Sequence, residues 1–142
     1  MTDDPFDLQR FTDAQAPVID RVREELRAGR KHSHWMWFVF PQFAGLGFST
    51  MAQRFAILSL DEARAYLAHP VLGERLRTCT DIVLAADGSD ALAIFGTPDN
   101  LKFRSSMTLF AYAAPGETRF RAVLEKYFGG APDPATLQRL AN

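Results

Sequence analysis

The sequence holds a single cysteine, Cys79, in 142 residues. One thiol excludes a disulfide framework and a thiolate zinc site. Long hydrophobic runs are missing too: no stretch approaches the roughly 20 apolar residues that cross a bilayer. Asp3, Asp4 and Asp7 open the chain without an apolar run, so no signal peptide is read there. The expected compartment is the cytoplasm, with no membrane partner. Neither sign of charge is in excess: 16 Lys and Arg stand against 17 Asp and Glu, for a formal net charge of -1. Domains that bind nucleic acid through phosphates usually carry a positive excess, which argues against such a partner. Gly-x-Ser-x-Gly and His-Glu-x-x-His are both absent. No cofactor motif appears, and the three histidines do not make a metal site.

What is present is core material. Hydrophobic residues make up 47% and charged residues 23%, as in a soluble globular chain. The length suits one domain over residues 1–142, with its core at about 6–140. Apolar residues recur mostly with a helical period. Val18, Ile19, Val22 and Leu26 form a stripe that stops at Gly29. Ser59 and Glu62 have capping-box spacing before Ala63, Tyr66 and Leu67. His69-Pro70 breaks that helix, and Pro70 opens the next. Leu72, Leu76, Cys79, Val83 and Ala86 then line one face, with Cys79 as a buried, inert thiol. Asp90 caps a short helix through Phe95, ended by Gly96. Thr97-Pro98 starts a helix carrying Phe103, Met107, Phe110 and Ala114. Phe120 to Phe128 and Asp133 to Leu140 give two more. The run Trp35 to Phe40 reads either as a buried strand or as a short helix capped by Ser33 and ended by Pro41. Helix is favoured, because no second strand exists to pair with it. The expectation is an all-α domain of about seven helices joined by short loops.

Three segments combine residue types that carry chemistry. In Arg30 to Gln42, the indoles of Trp35 and Trp37 suit stacking on a flat ring, and Gln42 suits reading its edge. His34 is a candidate general acid or base. The plainer alternative is that both tryptophans are core. Next, Gly45, Gly47 and Ser49 lead into a helix from about Met51, an arrangement that lets backbone amides and a hydroxyl meet an anion. The alternative is a loop with Ser49 as a helix cap. In the third, helical spacing sets Lys102 and Ser106 on one row beside the core stripe, a place for lining a pocket; the alternative is close helix packing and surface salt bridges. Asp99, one turn earlier, is the second candidate for proton transfer.

Gly29 to Gln42, Phe55 to Ala63, His69 to Gly73, Phe95 to Asp99 and Leu101 to Phe110 together resemble a family of small bacterial proteins known as domain of unknown function 1810. The runs Ser33-His34-Trp35-Met36-Trp37-Phe38 and Arg104-Ser105-Ser106-Met107-Thr108-Leu109-Phe110 are the specific part. The likeness extends from about Phe6 to Leu140. It implies an all-α single domain and no established activity. Some members are labelled calpastatin, which fits poorly, since inhibitors of that kind are long, polar and disordered. Members often lack histidine where His32 stands and usually have leucine where Phe103 stands, so His32 is left out of the site.

The reading carried forward is a cytoplasmic pocket protein that binds, or hydrolyses at an N-glycosidic bond, a nucleotide-type or ADP-ribose-type ligand. Trp35 or Trp37 stacks the base, His34 or Asp99 handles a proton, and Gln42 reads an edge. Lys102 with the Gly45–Ser49 loop holds phosphate. The alternative is a non-catalytic module that meets a protein partner. Burial discriminates the two: the pocket reading needs His34, Gln42 and Lys102 to converge on one cleft.

Overall fold

The computed structural model describes residues 3–141. Among them lie ten α-helices and no strand, and seven of the helices are seven residues or longer. The helices are α1 (Gln9–Gln15), α2 (Ile19–Arg27), α3 (Met36–Val39), α4 (Thr50–Arg54), α5 (Leu60–Ala68), α6 (Leu72–Ala85), α7 (Ala91–Phe95), α8 (Asp99–Ala113), α9 (Arg119–Phe128) and α10 (Pro134–Ala141). The all-α expectation holds. The helix that the sequence reading does not place is α1, which buries only Phe11 and Gln15 and so shows no hydrophobic period.

The caps explain most boundaries. Ser59 Oγ accepts from the Glu62 amide at 3.0 Å, and Asp90 Oδ1 accepts from the amides of Leu92 and Ala93. Asp133 Oδ2 accepts from the Thr136 amide at 3.0 Å, which starts α10. Two starts differ from expectation. The imidazole Nδ1 of His69 accepts from the amides of Val71 and Leu72, so α6 opens at Leu72 and Pro70 stays in the turn. Pro98 is itself the N-cap residue of α8, with no side-chain cap from Thr97.

Helix α8 is the centre. It packs against α5, α7, α9 and α10, while α6 packs against α2, α5 and α9. Its buried residues run almost round its circumference, from Phe103 through Ser105 to Phe110 and Ala113. A helix apolar on nearly every side belongs in a core. Phe103 stacks on Phe95 at 4.5 Å between ring centroids and meets Phe40 edge-on at 4.9 Å. That contact draws α3 and α7 onto the central helix. Gln15 of α1 fixes the other side of α3: its Nε2 donates to the Phe38 carbonyl at 2.6 Å and to the Tyr66 hydroxyl at 2.9 Å. No helix is long and apolar enough to cross a membrane among the described residues.

Candidate functional site

The aromatic run resolves into one helical turn. Trp35 is its N-cap residue, and Phe40 is its C-cap residue, just before Pro41. Ser33 is not the cap. Its hydroxyl donates instead to Glu25 Oε2 at 2.5 Å, across to α2. A turn of helix sends Trp35 and Trp37 in different directions. Trp35 is 1% exposed, with its indole N–H donating to Glu25 Oε1 at 3.0 Å. Trp37 is only half-buried.

Beyond α3 the chain doubles back. Ile57 N–H donates to the Gln42 carbonyl at 2.9 Å, and Ala44 N–H donates to the Ile57 carbonyl at 2.8 Å. This gives one isolated parallel bridge, Phe43 to Ile57. It holds the glycine loop open beside α4. The result is a hollow of about 210 Å3, walled by Trp37, Phe43, Phe55 and Leu58 with the amides of Gln42 and Gln53 and the backbone of Gly45 and Gly47. The loop is tight. A Cβ on Gly47 would lie 2.6 Å from Ala52 Cβ. Gly45 has φ +91, and a Cβ there would lie 2.6 Å from the guanidinium carbon of Arg139, so α10 closes on the loop from outside.

Gln42 also walls a second hollow of about 360 Å3, with Leu46, Leu101, Lys102, Ser105 and Asp133. The Lys102 ammonium sits 5.6 Å from the Trp37 ring centroid and 3.7 Å from Asp99 Oδ1. Asp99 Oδ2 lies 2.9 Å from the Lys31 ammonium, which itself lies 5.2 Å from the Trp35 ring. One carboxylate therefore bridges two lysines, each over a different tryptophan. Ser105 Oγ is 2.9 Å from Thr136 Oγ1, and Thr136 Oγ1 donates to Asp133 Oδ2 at 2.6 Å.

A model of the family described as "Protein of unknown function (DUF1810)" matches residues 5–140. The chain belongs to this family. It is also similar to a solved structure, the conserved hypothetical protein Rv1873 from Mycobacterium tuberculosis. The two are 57% identical, over 98% of this chain and 99% of that one, with a TM-score of 0.96. No curated protein matches the chain.

In this DUF1810 chain, Trp37, Gln42, Gly45 and Gly47 meet at the first hollow, and Gln42 meets Lys102 at the second. The other sequence candidates lie elsewhere. His34 is exposed and lines neither hollow. Trp35 is packed in the core on Glu25. Ser49 is exposed, and its Oγ accepts from the Ala52 amide at 3.1 Å as the cap of α4. Ser106 is fully buried within α8, facing neither hollow. Asp99 touches Lys102 from outside the second hollow.

Several site residues escape the sequence reading. Glu25 stands three residues after Val22, on the apolar stripe of α2, and a charge on a buried face is the signal that marks it. Phe43, Phe55 and Gln53 carry no such signal. Their place depends on the Phe43–Ile57 bridge, which joins segments fourteen residues apart.

Proposed function

We propose that the protein binds a small compound built on a flat heteroaromatic ring, of the nucleobase-bearing class, with the ring in the first hollow. The wall carries this reading: the half-buried Trp37 and two phenylalanines stand beside the amides of Gln42 and Gln53. Aromatic faces stack on a flat ring, and an amide offers both a donor and an acceptor to its edge. Size narrows the ligand. At about 210 Å3 the hollow is below the ~300–1,000 Å3 of sites for drug-sized molecules, so it suits a ring whose substituent passes Gln42.

Binding is favoured over hydrolysis. His34 stands at the surface outside both hollows, and the Asp99 carboxylate is held between two ammonium groups. Neither lines the first hollow, where a general acid or base would have to meet a ring stacked on Trp37. The test is a melting screen with nucleobases, nucleosides, nucleotides, NAD and ADP-ribose. A ligand at 100 times its Kd stabilises by about 2.7 kcal/mol. The expected result is a rise in Tm with quenching of tryptophan emission, both lost in Trp37→Leu. No shift from any of these compounds ends the reading.

One observation favours a module that meets a protein partner. Phe48 is 83% exposed and Leu58 is 70% exposed. Leu58 lines the first hollow, and Phe48 is tied to its edge, its carbonyl accepting from the lining residue Gln53 at 3.0 Å. A melting rise that survives Phe48→Ser supports the small-molecule reading. No rise in the screen leaves the module.

A further inference from the structure

We infer that the Lys102 hollow takes the hydroxylated sugar of a nucleoside rather than a phosphate group. This rests on the ring-binding reading above and adds what the ring carries.

The argument is one of hydrogen-bond direction. Thr136 Oγ1 lies 2.6 Å from Asp133 Oδ2, and a carboxylate only accepts, so the single hydroxyl proton of Thr136 is committed there. Thr136 Oγ1 is also 2.9 Å from Ser105 Oγ. With its own proton engaged, Thr136 accepts in that contact and Ser105 donates. Ser105 then has lone pairs, and no proton, to offer a ligand. Two of the polar groups lining the hollow, Ser105 and Asp133, are therefore acceptors, and one of them is an acid.

A phosphate brings negative acceptor oxygens. It would face an acceptor hydroxyl and a carboxylate of its own sign. Lys102 is the cation among the described lining residues, and its ammonium is shared with Asp99 and with the Trp37 face. A sugar hydroxyl fits better, because it both donates and accepts. It can give its proton to Ser105 or Asp133 and take one hydrogen bond from Lys102. Gln42 walls both hollows, so a ring in the first directs its substituent into the second.

Calorimetric titration of the intact protein tests this. The probes are adenosine, guanosine, cytidine and uridine, each beside its free base, its 2',3'-dideoxynucleoside and its 5'-monophosphate. The expected result is a ribonucleoside bound about tenfold tighter than its free base, a dideoxynucleoside that loses this gain, and a monophosphate no tighter than the nucleoside. Two results overturn the inference while leaving ring binding intact. In one, the dideoxynucleoside matches the ribonucleoside. In the other, the monophosphate binds about tenfold tighter than the nucleoside and Lys102→Met removes the gain. If neither bases nor nucleosides bind, the ring-binding reading fails and this inference falls with it. The changes are made chiefly on the ligand, so the folding of a variant does not decide the outcome.

Discussion

The Trp35 indole N–H donates to Glu25 Oε1 at 3.0 Å inside the core. The same carboxylate accepts from the His32 amide at 2.7 Å, the Ser33 amide at 3.0 Å and the Ser33 hydroxyl at 2.5 Å. Four donors from one loop converge on one acid of α2. That convergence sets the direction in which the chain enters α3, and so where Trp37 stands. Glu25→Ala leaves these donors without their acceptor. Each buried orphan costs about 1–3 kcal/mol, so the expected loss is about 3–5 kcal/mol in urea unfolding. A loss under about 1 kcal/mol would show that the loop holds itself in place.

The same residue makes stability depend on pH. Burial alone would raise the Glu25 carboxyl. The Ser33 hydroxyl, the amides of His32 and Ser33 and the Trp35 indole outweigh burial and hold it at about 2, against an ordinary 4.5. A folded pKa below the unfolded one gives stability that is complete above pH 4.5 and lost as pH falls toward 2. The shift corresponds to roughly 3 kcal/mol. The gap between wild type and Glu25→Gln in unfolding free energy is expected to close across that window. A gap unchanged from neutral pH to the bottom of the window would contradict this account.

Gly47 and Gly45 respond differently to alanine. A Cβ on Gly47 meets the Ala52 methyl at 2.6 Å, a short side chain that cannot turn aside. Gly47→Ala is expected to cost about 1–3 kcal/mol and to weaken any ligand of the first hollow, read by Tm and by titration. At Gly45 the obstacle is the mobile end of Arg139 and the penalty is the positive φ, about 1–2 kcal/mol. Adding Arg139→Ala to Gly45→Ala should therefore recover little of the loss.

Adjacent serines of α8 should diverge. Ser106 is fully buried, and its Oγ has no hydrogen-bond partner among the described residues. Ser106→Ala removes a desolvated hydroxyl and favours the helix, so stability should be unchanged or rise by up to about 1 kcal/mol. Ser105→Ala takes away the donor to Thr136 and should cost about 1 kcal/mol in the same denaturation series. Equal effects at the two positions would refute the assignment.

Cys79 is buried on α6, and burial pushes its thiol up to about 12. Iodoacetamide needs the thiolate, so the folded protein should resist labelling at neutral pH and react once unfolded. Rapid labelling of the native protein, followed by mass spectrometry, would place the thiol at the surface instead.

Much of the helix order is legible in the letters, because caps and stops act locally. Ser59, Asp90 and Asp133 accept from amides two or three residues onward, and such spacing survives in one dimension. Helix α1 leaves little trace. It buries only Phe11 and Gln15, and a single aromatic sets no period. The start of α3 is misread at Ser33, whose hydroxyl serves a carboxylate eight residues back instead of the following amides.

The sequence by itself determined an all-α chain, the family to which it belongs, and a short stretch in which aromatic and amide side chains crowd together. Those properties follow from periodicity, capping and residue identity, each of which works over a few neighbours. Which tryptophan is core and which lines a hollow was decided by the tertiary structure alone. Glu25 draws Trp35 inward, and the Phe43–Ile57 bridge folds the glycine loop back over Trp37. Contacts between residues far apart in the chain also paired Gln42 with Lys102 and left His34 outside.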